Sequence, residues 1–344
     1  MNVIDGKIAV NREGGATVDR LGAIENCIRL RLLSIARATG QTFFVSDART
    51  GLAFMAVAAV SSLFAGVLGV IGALLAEAIG RALAASKGLN EGGLIPLNGY
   101  FAAMAVGAFF PLGATTISLG LAAAALAAVL TIAMHRTLAI WGLPVLVMPY
   151  VVAFAAVWLI CPQMSWCVAA PAPLPAVAWP ATWEQLVIFA SMAWGAGLAE
   201  LVFSSSPLIG LGVLIALALF DWHAAALAAL GAACGTLTAI GFGFPPSLIA
   251  IGLYGFGPVL TALALRRGTV RCGWLGTAIA ASAAAIATAI LGTLGSRLGV
   301  LPLAAPYVAV VWVCALAQPL HISEADEARP RPSVLNVRRL PRNF

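Results

Sequence analysis

Two short stretches decide how this chain is read: LNGYF at 97–101 and LYGFG at 253–257. Each sets a glycine before an aromatic residue. Each then runs on into small residues, AAMAVG at 102–107 and PVLTALAL at 258–265. They start 156 residues apart in a chain of 344. Working outward, GQTFF at 40–44 is matched by AELVF at 199–203, and TG at 50–51 by IG at 209–210, both at a shift of 159. Leu143-Pro144 pairs with Leu301-Pro302, and Pro149-Tyr150-Val151 with Pro306-Tyr307-Val308, at shifts of 158 and 157. Five landmarks in one order at a nearly constant shift predict an internal duplication, a plan common among transporters.

The chain is 62% hydrophobic and 9% charged, against about 25% charged residues in soluble domains. That composition predicts an all-α polytopic membrane protein, since helices satisfy their own backbone groups in lipid. Of the six cysteines (27, 161, 167, 234, 272, 314) none sits in a CxxC or in a Cys/His cluster, so no metal site is expected. Cys161 and Cys167 stand at the start of a proline-rich linker and could bridge if that linker faces an oxidising compartment. Nothing matches a phosphate-binding loop or a nucleotide fingerprint, so neither ATP nor any other cofactor is expected.

Taken in order, residues 1–27 are polar and read as a cytoplasmic N-terminal segment. The first half, 28–160, holds five spans: 28–47, 50–63, 64–85, 114–134 and 138–160. A Gly/Pro-rich stretch at 94–113, interrupted by Asn98, reads as a broken re-entrant segment buried against protein. Residues 161–182 form a Pro-rich external linker. The second half, 183–317, repeats the plan with a broken segment at 243–265, and 318–344 reads as a cytoplasmic tail. Five spans per half is odd, so the halves enter the membrane in opposite senses. With the N-terminus inside, 15 Lys/Arg fall on the inner face, Arg136, Arg266 and Arg267 among them. Only Arg49, Arg81, Lys87 and Arg297 fall outside, as the positive-inside rule requires. The expectation is ten transmembrane helices plus two re-entrant pore segments, in two inverted five-helix repeats, with both termini cytoplasmic.

Glu200 stands in an apolar run from Leu186 to Phe220. A charged group at membrane depth costs about 2.5–3.5 kcal/mol on insertion scales, so its default reading is functional. The plainer reading is a structural carboxyl bonded to backbone or to Ser204, Ser205 or Ser206. Its counterpart in the duplication is Gln41, an uncharged acceptor of similar reach. Phe44 and Phe203 follow at i+3, and Tyr100 and Phe256 are the aromatics of the re-entrant motifs. Two aromatic faces and an acceptor at each mouth suit a small planar neutral molecule rich in N–H donors; for any one aromatic, apolar core is the plain alternative. Glu77 reads as a surface partner of Arg81, four residues on. No second carboxylate lies at depth to hold a coupling cation, which favours passive conduction.

At these residues the chain resembles the urea transporter family, as a divergent bacterial-type member. The motifs that carry the resemblance are GQTFF-x6-GLAF at 40–54, LNGYF at 97–101, LPVLVMPYVV at 143–152, AELVF-x6-GLGVLIAL at 199–217, GTLTA at 235–239, GLYGFGPVLTALAL at 252–265 and LPLAAPYV at 301–308. The resemblance implies a homotrimer in the inner membrane, with one pore per protomer between the two repeats. It implies Gln41 at the outer site and Glu200 at the inner one. It further implies aromatic plates of Phe44 with Tyr100 and Phe203 with Phe256, and a narrow middle flanked by Met104 and Leu260. The family carries asparagine where this chain has Phe101 and Gly257, and mid-pore threonines where it has Phe154 and Val311. The function implied is passive passage of urea, without catalytic residues. The alternatives are a channel for another small neutral solute such as a short amide or ammonia, a membrane-embedded enzyme using Glu200, and a non-conducting relative.

Overall fold

The computed structural model describes residues 29–317 apart from 46, 91, 165–166, 168–173 and 269–271. The expected terminal segments 1–27 and 318–344 lie outside the described residues. Among those described, every regular element is a helix. In chain order they are α1 Arg29–Phe43, α2 Ala48–Ser61, α3 Leu63–Ala82, α4 Leu94–Phe109, α5 Ala114–Leu138 and α6 Met148–Ile160. Then come α7 Trp183–Ala199, α8 Pro207–Phe220, α9 Trp222–Gly241, α10 Leu253–Arg267, α11 Trp274–Leu298 and α12 Ala305–Ala317. Short turns at Lys87–Asn90 and Pro246–Ala250 precede α4 and α10.

Polar residues at span boundaries start the helices. Ser62, Thr182 and Asp221 accept from the backbone N–H of Ala65, Gln185 and Ala224 to cap α3, α7 and α9, each removing one orphan donor. Pro207 opens α8, where a missing N–H is harmless. Among the described residues five helices are long and apolar enough to cross a bilayer, namely α3, α5, α7, α9 and α11, while α1 and α2 form a pair bent by 85°. Helices α6 and α12 have 13 residues, about 20 Å at 1.5 Å per residue, so length alone does not make them spans.

The two motif stretches form α4 and α10, the most enclosed elements of the fold. Of the 16 residues of α4, 13 are buried, and of the 15 of α10, 12 are buried. The break expected within 243–265 falls at Gly252, just ahead of α10, while in the first half it falls at Gly93, one residue before the expected segment 94–113. Both glycines have φ of 87°, a conformation that glycine adopts without strain. Close approach explains the burial. A Cβ on Gly72 of α3 would lie 2.4 Å from Ala103 Cβ and 2.7 Å from Gly99 O of α4. Small residues on both helices let the backbones meet, the usual device where lipid supplies no hydrophobic drive.

This packing corrects the charge assignment, which put Arg81 outside and Arg136 inside. Ala76 near the end of α3, Ile95 at the start of α4 and Ile132 near the end of α5 share one buried cluster. The last turns of α3 and α5, holding Arg81 and Arg136, therefore lie on one side. The cause is the depth of α4. At about 24 Å it carries the chain from that side to the opposite end of α5, which then runs back alongside it. Glu77 is not at the surface either. It is 7% exposed, although it does pair with Arg81. Helix α6 runs alongside α4, with Phe109 against Phe154 and Trp158. Its C-terminal neighbour Cys161, bonded to Cys167, thus lies at the far end. Trp312 of α12 closes on the 139–147 segment, donating from Nε1 to Pro144 O at 2.8 Å.

Candidate functional site

Helix α1 tightens into a 3-10 turn at Gln41–Phe43 and stops where Phe44 takes a left-handed conformation, φ 56°, its N–H bonding Gln41 O. Helix α7 ends the same way: a 3-10 turn at Glu200–Val202, then Phe203 at φ 54° bonding Glu200 O. Neither Phe is a glycine, so each strained turn is held by its surroundings. The turns place the polar side chain and the aromatic one at the same helix end.

Gln41 Nε2 donates to Gly92 O, in the turn before α4. Its carbonyl oxygen has no protein donor among the described residues. Gln41, Thr42 and Phe44 line a cavity of about 790 Å³ with Leu94 and Leu97 of α4, His135 of α5 and Ala139 just after it, the 143–147 segment, Leu260 and Arg267 of α10, and Tyr307 of α12. The start of α4 and the end of α10 thus share one mouth. Gln41 and Arg267, assigned to opposite faces from sequence, line the same cavity. That is a second correction with the same origin, the depth of the motif helices.

Glu200 lies elsewhere. Its carboxylate takes no hydrogen bond among the described residues, and Ser204 Oγ accepts instead from Ser206 N. Phe203 packs against Phe101, Phe109 and Tyr150, with ring centroids 6.3, 6.0 and 6.5 Å away. The chain therefore gathers a second polar and aromatic group toward the end of α4, away from the Gln41 mouth.

The remaining sequence candidates fall differently. Tyr100 and Met104 are wholly enclosed. Tyr100 touches Phe54 and Phe101, and its hydroxyl has no partner among the described residues. Among the described residues neither Phe44 with Tyr100 nor Phe203 with Phe256 forms a ring contact. Phe256 and Leu260 are 9% and 4% exposed, and only Leu260 lines the cavity. Phe154 stacks on Trp158 at 5.7 Å, and Val311 is buried.

Sequence reasoning missed Thr42, Arg267 and Tyr307 as lining residues, and it missed the role of Asn98. That side chain donates to Leu94 O and Leu146 O and accepts from Tyr150 N, fixing the start of α6 against α4. Its only signal was a lone amide in an apolar run. Among the described residues no three His, Cys, Asp or Glu side chains gather as metal ligands. Arg267, which lines the cavity, pairs with Asp221 at 2.7 Å. The arrangement is a largely apolar cavity in which Gln41, Thr42, His135, Arg267 and Tyr307 supply the polar groups. Residues 32–319 match the family model described as urea transporter. No curated protein matches the chain.

Proposed function

The chain belongs to the urea transporter family, a membrane transport protein and not an enzyme, and from that premise we propose that it conducts urea passively through a pore between its two halves. One observation carries the proposal. Gln41, its amide nitrogen tied to Gly92 O, presents a carbonyl acceptor beside Phe44 in a cavity, which suits a planar solute rich in N–H donors. Glu200 with Phe203 serves the other mouth.

The finer architecture is proposed as two inverted repeats of five spans, each with its motif helix as a deep pore segment, in a homotrimer. Supporting the repeats, the ten described residues with positive φ fall into five pairs: 44 and 203, 84 and 243, 93 and 252, 142 and 299, 146 and 303. Helix lengths of 14, 20, 25 and 13 residues recur in α2, α3, α5, α6 and in α8, α9, α11, α12. Supporting inversion, α4 begins at the cavity where α10 ends. We place the Gln41 mouth at the cytoplasmic face of the cell membrane, with both termini on that side. Arg81, Arg136, Arg266 and Arg267 gather there, and the Cys161–Cys167 bridge lies at the opposite end of α6, where an oxidising compartment would keep it.

The test is urea entry into proteoliposomes followed by light scattering, with water permeability as control. Fast, saturable entry that is lost in Glu200→Ala is expected. Wild-type protein, folded but no faster than empty liposomes, would sink the urea reading. The burial of Phe154 and Val311, with no hydroxyl at either position, favours one second reading, another small neutral solute. Counterflow with acetamide and methylammonium separates the two.

A further inference from the structure

Tyr150 and Tyr307 hold matching places at the starts of α6 and α12, and each reaches into the other half. The Tyr150 hydroxyl lies beside the backbone of Ala304, just ahead of α12, and the Tyr307 hydroxyl beside that of Val147, just ahead of α6. Both rings are 2% exposed. Tyr307, from the second half, lines the cavity of Gln41, from the first. Tyr150, from the first half, packs on Phe203 and lies within electrostatic reach of Glu200, both from the second. The two tyrosines are within electrostatic reach of each other. Gln41, Tyr307, Tyr150 and Glu200 thus follow one another across the molecule, one acceptor at each end and two hydroxyls between.

A phenol has one donor and two acceptor sites, so a hydroxyl beside one backbone group can still bond a passing solute. We propose that, on the urea reading above, Tyr307 and Tyr150 are the mid-path hydrogen-bonding groups that hand the solute from the Gln41 mouth to the Glu200 mouth. They do the work for which Phe154 and Val311, one helical turn further along the same faces, have no hydroxyl. They also narrow selectivity to solutes that can exchange hydrogen bonds in the middle of the protein. An apolar molecule of the same width gains nothing from them.

Urea and water permeability of proteoliposomes are measured for wild type, Tyr150→Phe, Tyr307→Phe, and Tyr307→Phe combined with Val311→Thr, with melting temperature taken in detergent. Tyr254→Phe, a buried tyrosine outside the path, is the control. Each path variant is expected to lower urea flux about tenfold, the effect of one lost hydrogen bond in the barrier. Water permeability and the control are expected to stay within twofold. Restoring a hydroxyl at Val311 is expected to recover most of the flux, which a purely structural tyrosine would not allow. Urea flux within twofold of wild type in both path variants overturns the proposal while leaving the urea reading intact. Loss of flux that tracks a lower melting temperature and is not rescued by Val311→Thr overturns it too. A wild type that passes no urea overturns both.

Discussion

Gln41 and Glu200 occupy the same helix-ending turn but are not interchangeable. The amide nitrogen of Gln41 is committed to Gly92 O. Gln41→Glu would set a carboxylate oxygen against that carbonyl, leaving two acceptors facing each other at a cost of about 1–3 kcal/mol. We expect a lower melting temperature and slower urea entry for that variant, and little change in stability for Glu200→Gln, whose carboxylate has no donor to lose. A second residue-scale effect lies at the Asp221–Arg267 pair. Burial pushes Asp221 up, but the hydrogen bond from Arg267, that from Ala224 N–H and the charge of Arg267 outweigh it and leave the carboxyl below its usual range. A depressed pKa contributes stability that is present above the unfolded value and is lost as pH falls through the folded one. Asp221→Asn is therefore expected to cost up to about 1 kcal/mol at neutral pH. In thermal melts the gap to wild type should close as the medium is acidified below the ordinary carboxylate range. A gap that persists there would mean that the ion pair is not its source.

Contact without Cβ atoms governs how the elements assemble. A Cβ on Gly235 of α9 would meet Tyr254 O at 2.2 Å and Pro258 Cγ at 2.6 Å in α10. Gly235→Ala and Gly72→Ala should each destabilise by about 1–3 kcal/mol through overpacking. Gly241→Ala, with nothing within 4 Å of the added carbon, should melt like wild type. The same scale shows what could be read in advance. The long apolar helices were legible from hydropathy, and the special standing of α4 and α10 from their glycine–aromatic motifs. The depth of α4 was not legible. Sixteen mostly apolar residues describe a helix that turns back and one that runs on equally well, and only the neighbours of Ile95 and Ile132 decide. Hence the misplacement of Arg81. The partners of Tyr150 and Tyr307 were hidden for a similar reason. Within PYV each reads as a landmark, and the backbone its hydroxyl lies beside is in the other half of the chain.

For the whole molecule, the proposed orientation makes a direct prediction. An impermeant thiol reagent added to intact cells should label Cys161 and Cys167 only after reduction. Labelling that requires the cells to be opened would reverse the orientation. The last contact to form also bears on how the protein is made. Trp312 meets Pro144 across 168 residues of sequence, and Phe203 meets Phe101 across about a hundred. At 5–20 residues per second, the first half waits on the order of 10–30 s after Pro144 leaves the ribosome before Trp312 can close over it. Through that interval its inner aromatic face has no mate. The nascent chain must therefore be sheltered in the membrane as an open half-shell, and slowed translation of the second half is the condition under which it should misassemble or be degraded.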